Sequence, residues 1–205
     1  MVVISAPSGS GKTTVIHELL KADPNTCRSI SVTTRPPRNG ERNGQDYRFV
    51  SRAQFEQART RREFLECARI LGHWYGTPVG PIRRALKGGR DVLLGIDIQG
   101  AAQLRRSGLP VVTIFLLPPS RGTLKKRLQA RGTETLRQIR DRLRLARKEL
   151  ARVKEFDYAV VNDRLKEAVA TVQAILKAQR CRVREGRSWY LAKSCWTRSG
   201  RSSSW

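Results

Sequence analysis

The stretch Ala6-Pro7-Ser8-Gly9-Ser10-Gly11-Lys12-Thr13 restricts the possible folds of this chain more than any other. An apolar run, Val2 to Ser5, leads into it. A helical pattern follows, with Val15, Ile16, Leu19 and Leu20 on one face, until Asp23-Pro24 stops it. Strand, glycine-rich turn and helix in that order let backbone N–H groups surround an anion. Gly9 and Gly11 permit the torsions that turn amides toward phosphate oxygens, and the helix N-terminus adds its dipole. The segment fits a Walker A loop with Ala6 in place of the usual first glycine. Ser8, Gly9, Ser10, Gly11, Lys12, Thr13 and Thr14 are therefore expected to hold the phosphates of a nucleotide. Lys12 would reach the β- and γ-phosphates, and the Thr13 hydroxyl would ligate Mg²⁺.

The rest of the chain has to build a sheet under that loop. Its 205 residues suit one domain, or one domain with an insertion, and 39% apolar residues suffice for a core. Val92 to Ile96 and Val111 to Leu117 read as buried strands, each followed by a helical stretch: Ala101 to Arg106, and a helix capped by Ser120 that breaks at Gly132-Thr133 and resumes from Leu136 to Phe156. Tyr158 to Val161 is a last strand and Leu165 to Gln179 a last helix. Buried strands alternating with helices imply an α/β fold, a parallel sheet with helices on both faces. Between about Ile30 and Gly80 that rhythm fails. Arg28 to Val32, Tyr47 to Val50 (a returning strand), Phe64 to Ala68 and Tyr75 to Thr77 read as short strands. Turns and a capped helix at Ser51 separate them, and Pro81 to Lys87 is helical. This reads as an inserted β-rich lobe.

The composition excludes some classes. The longest apolar run, Val111 to Leu117, is far short of the roughly 20 residues a bilayer requires. Met1 to Ile4 carries no basic region of a secretion signal, so none is expected. Four cysteines without a C-x-x-C spacing argue against a zinc site and suit unpaired thiols in a reducing cytoplasm. The formal charge is +24, from 41 basic and 17 acidic residues. Ser120 to Lys154 contributes 13 basic against 3 acidic residues, and Arg180 to Trp205 contributes 7 against 1. The tail, 180–205, is thus a candidate nucleic-acid contact, but aromatics at 6% are too few for stacking platforms. A solvated basic surface is the plainer reading.

A second substrate is written into the β-rich segment. Ser31-Val-Thr-Thr-Arg35-Pro-Pro-Arg38-Asn-Gly-Glu41 sets two arginines three apart on a proline-stiffened loop, and arginine forks suit a terminal phosphate. Tyr47 and Tyr75 can add phenolic donors. Glu66 stands among apolar residues and needs partners. The N1–H and N2 amine of a guanine edge are such partners, with Ser31 and Thr77 directed at O6. Adenine presents the opposite pattern and would be rejected. Asp97 ends an apolar strand, the position at which ligands meet parallel sheets.

Taken together, Ala6 to Thr13, Ser31 to Tyr47, Glu66 to Thr77, Ile96-Asp97-Ile-Gln-Gly100 and Val160-Val-Asn162-Asp163 resemble guanylate kinases in order and spacing, over about residues 1 to 179. The resemblance implies a P-loop core, a GMP-binding lobe at about 30–80, and a lid with flanking helices at about 122–156. It also implies transfer of the ATP γ-phosphate to GMP or dGMP, with Mg²⁺. On that likeness Ser31, Glu66, Thr77 and Asp97 match guanine contacts. Arg35, Arg38, Tyr47 and Tyr75 match the clamp on the GMP phosphate, with Glu41 orienting it. Arg127, Arg131 and Arg142 match arginines of the ATP side and lid, and Asn162 a residue near adenine. Lys12, Arg35, Arg131 and Arg142 would carry the transfer. The chain departs from the family at Gly95, where an acidic residue is usual, and at Leu136, Arg137 and Arg164. Whether it works as a monomer or a homo-oligomer is left open. A phosphopeptide-binding relative of the same fold would lack the intact phosphate loop. A kinase for another nucleotide would lack the Glu66, Ser31 and Thr77 set.

Overall fold

The structure is a computed structural model and describes residues 1–130 and 135–182. A five-stranded sheet in the order β2-β7-β1-β8-β9 forms its centre, and every pairing in it is parallel. The strands are β1 (Val2–Ser5), β2 (Thr26–Arg28), β7 (Asp91–Leu94), β8 (Val112–Leu117) and β9 (Tyr158–Val161). β1 is buried along its whole length because it lies between β7 and β8 with helices on both faces. One layer of core joins Ile4, Ile114 and Leu116 to Val15, Ile16 and Leu19 of α1 (Lys12–Ala22) and to Val172 and Leu176 of α7 (Leu165–Cys181). The other joins Val3, Val92 and Leu94 to Ile82 of α3 (Val79–Lys87) and to Leu104 of α4 (Ile98–Arg106).

The inserted lobe is a second sheet of four strands in the order β4-β3-β6-β5: β3 (Val32–Thr33), β4 (Arg48–Phe49), β5 (Phe64–Ile70) and β6 (His73–Pro78). The strand expected at Arg28 to Val32 is two strands in two sheets. β2 pairs with β7 in the core, the Ser29 N–H is taken by the Leu93 carbonyl, and by Val32 the chain pairs with β6 instead. The strand expected to return at Tyr47 runs parallel to β3, because the Asn39-to-Asp46 loop carries the chain back before it pairs. The lobe's small core is Phe55 of α2 (Arg52–Thr60), stacked on Phe64 at 4.6 Å between ring centres and on Trp74 at 5.9 Å. Ser51 and Gln54 form the expected capping box of α2.

A glutamine fastens the lobe to the core. Gln103 on α4 accepts from the Cys67 N–H at 3.3 Å and donates to the Cys67 carbonyl at 2.7 Å. Its amide thereby occupies the open edge of β5 as another strand would. Helices α5 (Arg121–Gln129) and α6 (Leu136–Leu150) pack on each other through Leu124, Leu128, Ile139 and Ala146. The expected helix to Phe156 stops at Leu150, and a 3₁₀ turn at Val153–Glu155 follows. At the other end of the sheet, α7 runs two residues beyond its expected end. Arg180, assigned by composition to the tail, lies within this helix and is bonded to Asp23 and to Asp91 (2.6 Å). No helix among the described residues is long and apolar enough to cross a membrane.

Candidate active site

The cleft lies at the carboxyl ends of the central strands, where β1 runs into the glycine loop. Gly9 and Gly11 hold φ of 92° and 86°, the left-handed region a side chain would strain. Gly11 is required twice over, since a Cβ there would collide with Asn162 Nδ2. That amide donates to the Ser10 carbonyl at 2.7 Å, and the Ser10 N–H donates back to Pro7 at 3.0 Å, so the loop is braced before any ligand enters. Lys12 opens α1 and donates from Nζ to the Ile96 carbonyl at 2.9 Å. Burial lowers its pKa, while Asp97 and Glu149 work against that shift. Thr13 and Thr14 are exposed on the first turn of α1 and line the same cleft.

Across the cleft the small lobe offers side chains that hold one another. The guanidinium of Arg35 donates Nη1 to Glu41 Oε2 and Nη2 to Glu41 Oε1, both at 2.9 Å, Nη1 also to the Pro36 carbonyl at 2.6 Å, and Nε to the Tyr75 hydroxyl at 3.2 Å. The bidentate fork expected to face a phosphate thus faces Glu41. Arg35 keeps one Nη2 proton beyond these bonds, and Arg35 and Tyr75 both line the cleft. Burial raises the pKa of Glu41, but the Arg35 fork and the Arg38 N–H (2.7 Å) outweigh it and hold the carboxylate below its ordinary range. Burial, together with Tyr75, pushes the Tyr47 phenol up, so it stays a neutral donor.

Glu66 is 5% exposed. Its Oε1 accepts from Thr77 Oγ1 at 2.5 Å, across the β5–β6 pair. Its Oε2 rests against Gly100 in the first turn of α4, where a Cβ would lie 2.8 Å from the carboxyl carbon. Burial pushes the Glu66 pKa up to about 7; Thr77 opposes that, and the charge of Asp97 adds to it. Asp97 does not end a strand. It is the N-cap of α4 and accepts from the Gly100 N–H at 2.9 Å, three residues past the end of β7. That cap aims the first turn of α4, and so Gly100, at Glu66.

Of the residues singled out in the sequence, Ser8, Gly9, Gly11, Lys12, Thr13, Thr14, Ser31, Arg35, Arg38, Tyr47, Glu66, Tyr75, Asp97 and Arg142 line one cleft. Arg142 reaches it from α6 and donates to Ser8 Oγ at 2.7 Å. Ser10, Glu41 and Thr77 stand behind that lining as supports. Arg127 and Asn162 line an adjoining hollow with Gly9, Gly11 and Thr14, and Arg127 donates to the Asn162 carbonyl at 3.3 and 3.4 Å. Arg131 lies outside the described residues. The cleft also contains a residue not singled out above, Glu149 of α6. Its signal in the sequence is spacing: it stands seven residues after Arg142, on the same helical stripe.

A profile of the family described as "Guanylate kinase" matches residues 1–179. The chain belongs to the guanylate kinase family. A guanylate kinase of Nitrosomonas europaea is 48% identical over 180 residues, covering 88% of this chain and 90% of that one. One of Clostridium tetani is 45% identical over 183 residues, covering 89% and 88%. Among solved structures, a guanylate kinase of Anaplasma phagocytophilum superposes with a TM-score of 0.77 at 32% identity, over 99% of this chain and 96% of that one. The family accounts for a phosphate loop and a separate small sheet on one cleft, and for the intervening lobe between β2 and β7.

Proposed function

We propose that this chain transfers the γ-phosphoryl group of ATP to the phosphate of GMP or dGMP, giving ADP and GDP or dGDP. The observation that supports it most is the pairing of a braced phosphate loop with a buried carboxylate–hydroxyl pair, Glu66–Thr77, across one cleft. Glu66 accepts from N1–H and the N2 amine of guanine, with Ser31 and Asp97 completing the edge. Arg38, the remaining Arg35 proton and the hydroxyls of Tyr47 and Tyr75 hold the acceptor phosphate. Glu41 keeps Arg35 in place.

The donor nucleotide lies on the loop amides of Ser8 to Thr14, with Arg127 and Asn162 beside its base. Lys12 neutralises the phosphates where charge accumulates, and Arg131 and Arg142 act from the lid. Mg²⁺ would rest on the Thr13 hydroxyl and the nucleotide's own phosphate oxygens. One hydroxyl from the chain suits a cation that prefers phosphates and waters. That cation would draw charge from the bridging oxygens. No proton acceptor is needed, because a phosphomonoester is largely ionised near pH 7. Closure of the helices at about 122–156 over the cleft would exclude water. Among the described residues Cys27, Cys67 and Cys181 carry free thiols, which supports a reducing, cytoplasmic setting.

The test is a coupled assay with ATP and Mg²⁺ against GMP, dGMP, AMP, CMP and UMP. Turnover confined to the guanine nucleotides is the expected result. AMP turned over as efficiently as GMP would overturn the assignment of the base.

A further inference from the structure

The roles above leave Glu149 unused. It is 5% exposed, and its Oε2 is buried with no donor within hydrogen-bonding reach. Buried polar atoms in native structures almost always find a partner, and a buried carboxylate without one is costly. Its position is informative. Arg142, Leu145 and Glu149 recur at three and seven residues on α6, which puts them on one stripe, and all three line the cleft. Arg142 already reaches the phosphate loop through Ser8. Glu149 lies two turns further along, where the charges of Lys12, Asp97 and Arg142 act on it.

The natural donor for that carboxylate is Lys12. The ammonium has three protons, and the Ile96 carbonyl takes one of them at 2.9 Å. A lysine head on a flexible four-carbon stem held by one carbonyl can pivot about that bond. A second acceptor on the opposite wall would stop the pivot. In this structure Lys12 and Glu149 share the cleft, attract each other and do not meet.

We propose that Glu149 is a positioning residue for the transfer. As α6 closes over the cleft, its carboxylate accepts a hydrogen bond from the Lys12 ammonium and fixes that cation between the donor and acceptor phosphates. This deepens the assignment of the glycine loop as the donor site and rests on it. The carboxylate touches neither nucleotide. Its removal therefore affects turnover rather than substrate affinity.

The experiment compares the parent chain, residues 1–205, with Glu149→Gln and Glu149→Asp. Initial rates are measured against ATP and GMP separately, and the melting temperature is measured without nucleotide. For Glu149→Gln, kcat should fall about 10- to 100-fold, with both KM values within about threefold of the parent. Its melting temperature should equal or exceed the parent's, because a neutral amide of the same shape replaces an unpaired buried carboxylate. Glu149→Asp keeps the charge one methylene further back, and its kcat should fall between the other two. A Gln variant with kcat within twofold of the parent overturns the proposal. So does one that fails to fold, or that loses melting temperature while both KM values rise, since the carboxylate is then structural. A parent that turns over no GMP overturns the underlying assignment of the reaction, and the inference falls with it. An active parent with an indifferent Gln variant overturns the inference alone.

Discussion

The two walls of the cleft are built by different means. The phosphate-loop wall is mostly main chain: turned amides, one lysine and a helix N-terminus, braced from behind by the amide of Asn162. The small-lobe wall is mostly side chains that hold each other, Arg35 on Glu41 and Tyr75, and Glu66 on Thr77 and against Gly100. A wall of backbone amides recognises phosphate, which every nucleotide carries. A wall of braced side chains can distinguish one base from another, because each buried donor or acceptor left unmatched costs free energy. On the proposed function this difference would separate rate from selectivity, and variants of each wall test that separation.

Lys12→Ala should produce the largest effect, a loss of roughly 10³-fold in kcat with GMP and dGMP alike, because the developing charge loses its fixed cation. Activity within a few-fold of the parent in the coupled assay would break the comparison on its backbone side. Next is Glu66→Gln, which sets a donor where guanine also donates. A mismatched buried pair costs on the order of 1–3 kcal/mol, so kcat/KM for GMP should fall about 10- to 100-fold while the KM of ATP barely moves. The ratio of GMP to AMP efficiency should shrink. An unchanged ratio would mean guanine is read elsewhere.

Gly100→Ala sharpens the comparison by leaving every polar group in place. The new methyl would displace the Glu66 carboxylate from its seat on α4. A drop of about tenfold in kcat/KM for GMP is expected, with ATP affinity unchanged by calorimetry. Equal losses for both nucleotides would show that α4 supports the whole cleft rather than one wall.

The smallest effect is one of pH. The Glu66 carboxyl titrates near 7 in the fold against 4.5 ordinarily, so the folded state binds the extra proton. Stability therefore falls as pH rises from about 4.5 to 7, by an amount on the order of 2–3 kcal/mol. Glu149, also pushed up to about 7 by burial, adds a slope of the same sign. Urea unfolding at pH 5 and pH 8 should show a shallower fall in Glu66→Gln than in the parent. In the proposed guanine contact Glu66 accepts as the ionised carboxylate, so GMP binding should tighten about tenfold more between pH 6 and pH 8 in the parent than in that variant. The variant cancels the titration of the GMP phosphate itself.

Much of this was legible in the chain because it rests on local rules. Residues Ala6 to Thr13 announce a phosphate loop through glycine spacing, and the alternation of β1, β7 and β8 with helices announces a parallel sheet. Ser51 with Gln54, and Ser120, marked helix starts by capping chemistry that acts within four residues. The Thr-Thr-Arg-Pro-Pro-Arg segment marked an anion site by composition, but its local chemistry does not say which way an arginine fork points.

Tertiary structure decided what depends on residues far apart in the chain. Arg28 to Val32 looks like one strand because alternation says nothing about which sheet a residue joins; competing partners, Leu93 and Gly76, split it. Asp97 looks like the end of a strand, yet the free N–H groups of α4 claim it as a cap. Arg35 turns to Glu41 because the loop folds that carboxylate back to within 2.9 Å of both of its Nη atoms. Glu149 is one more charge on a basic helix until α6 is laid over Lys12. A charge is ordinary in water and consequential once buried, and burial is a property of the assembled fold that no local window of sequence contains.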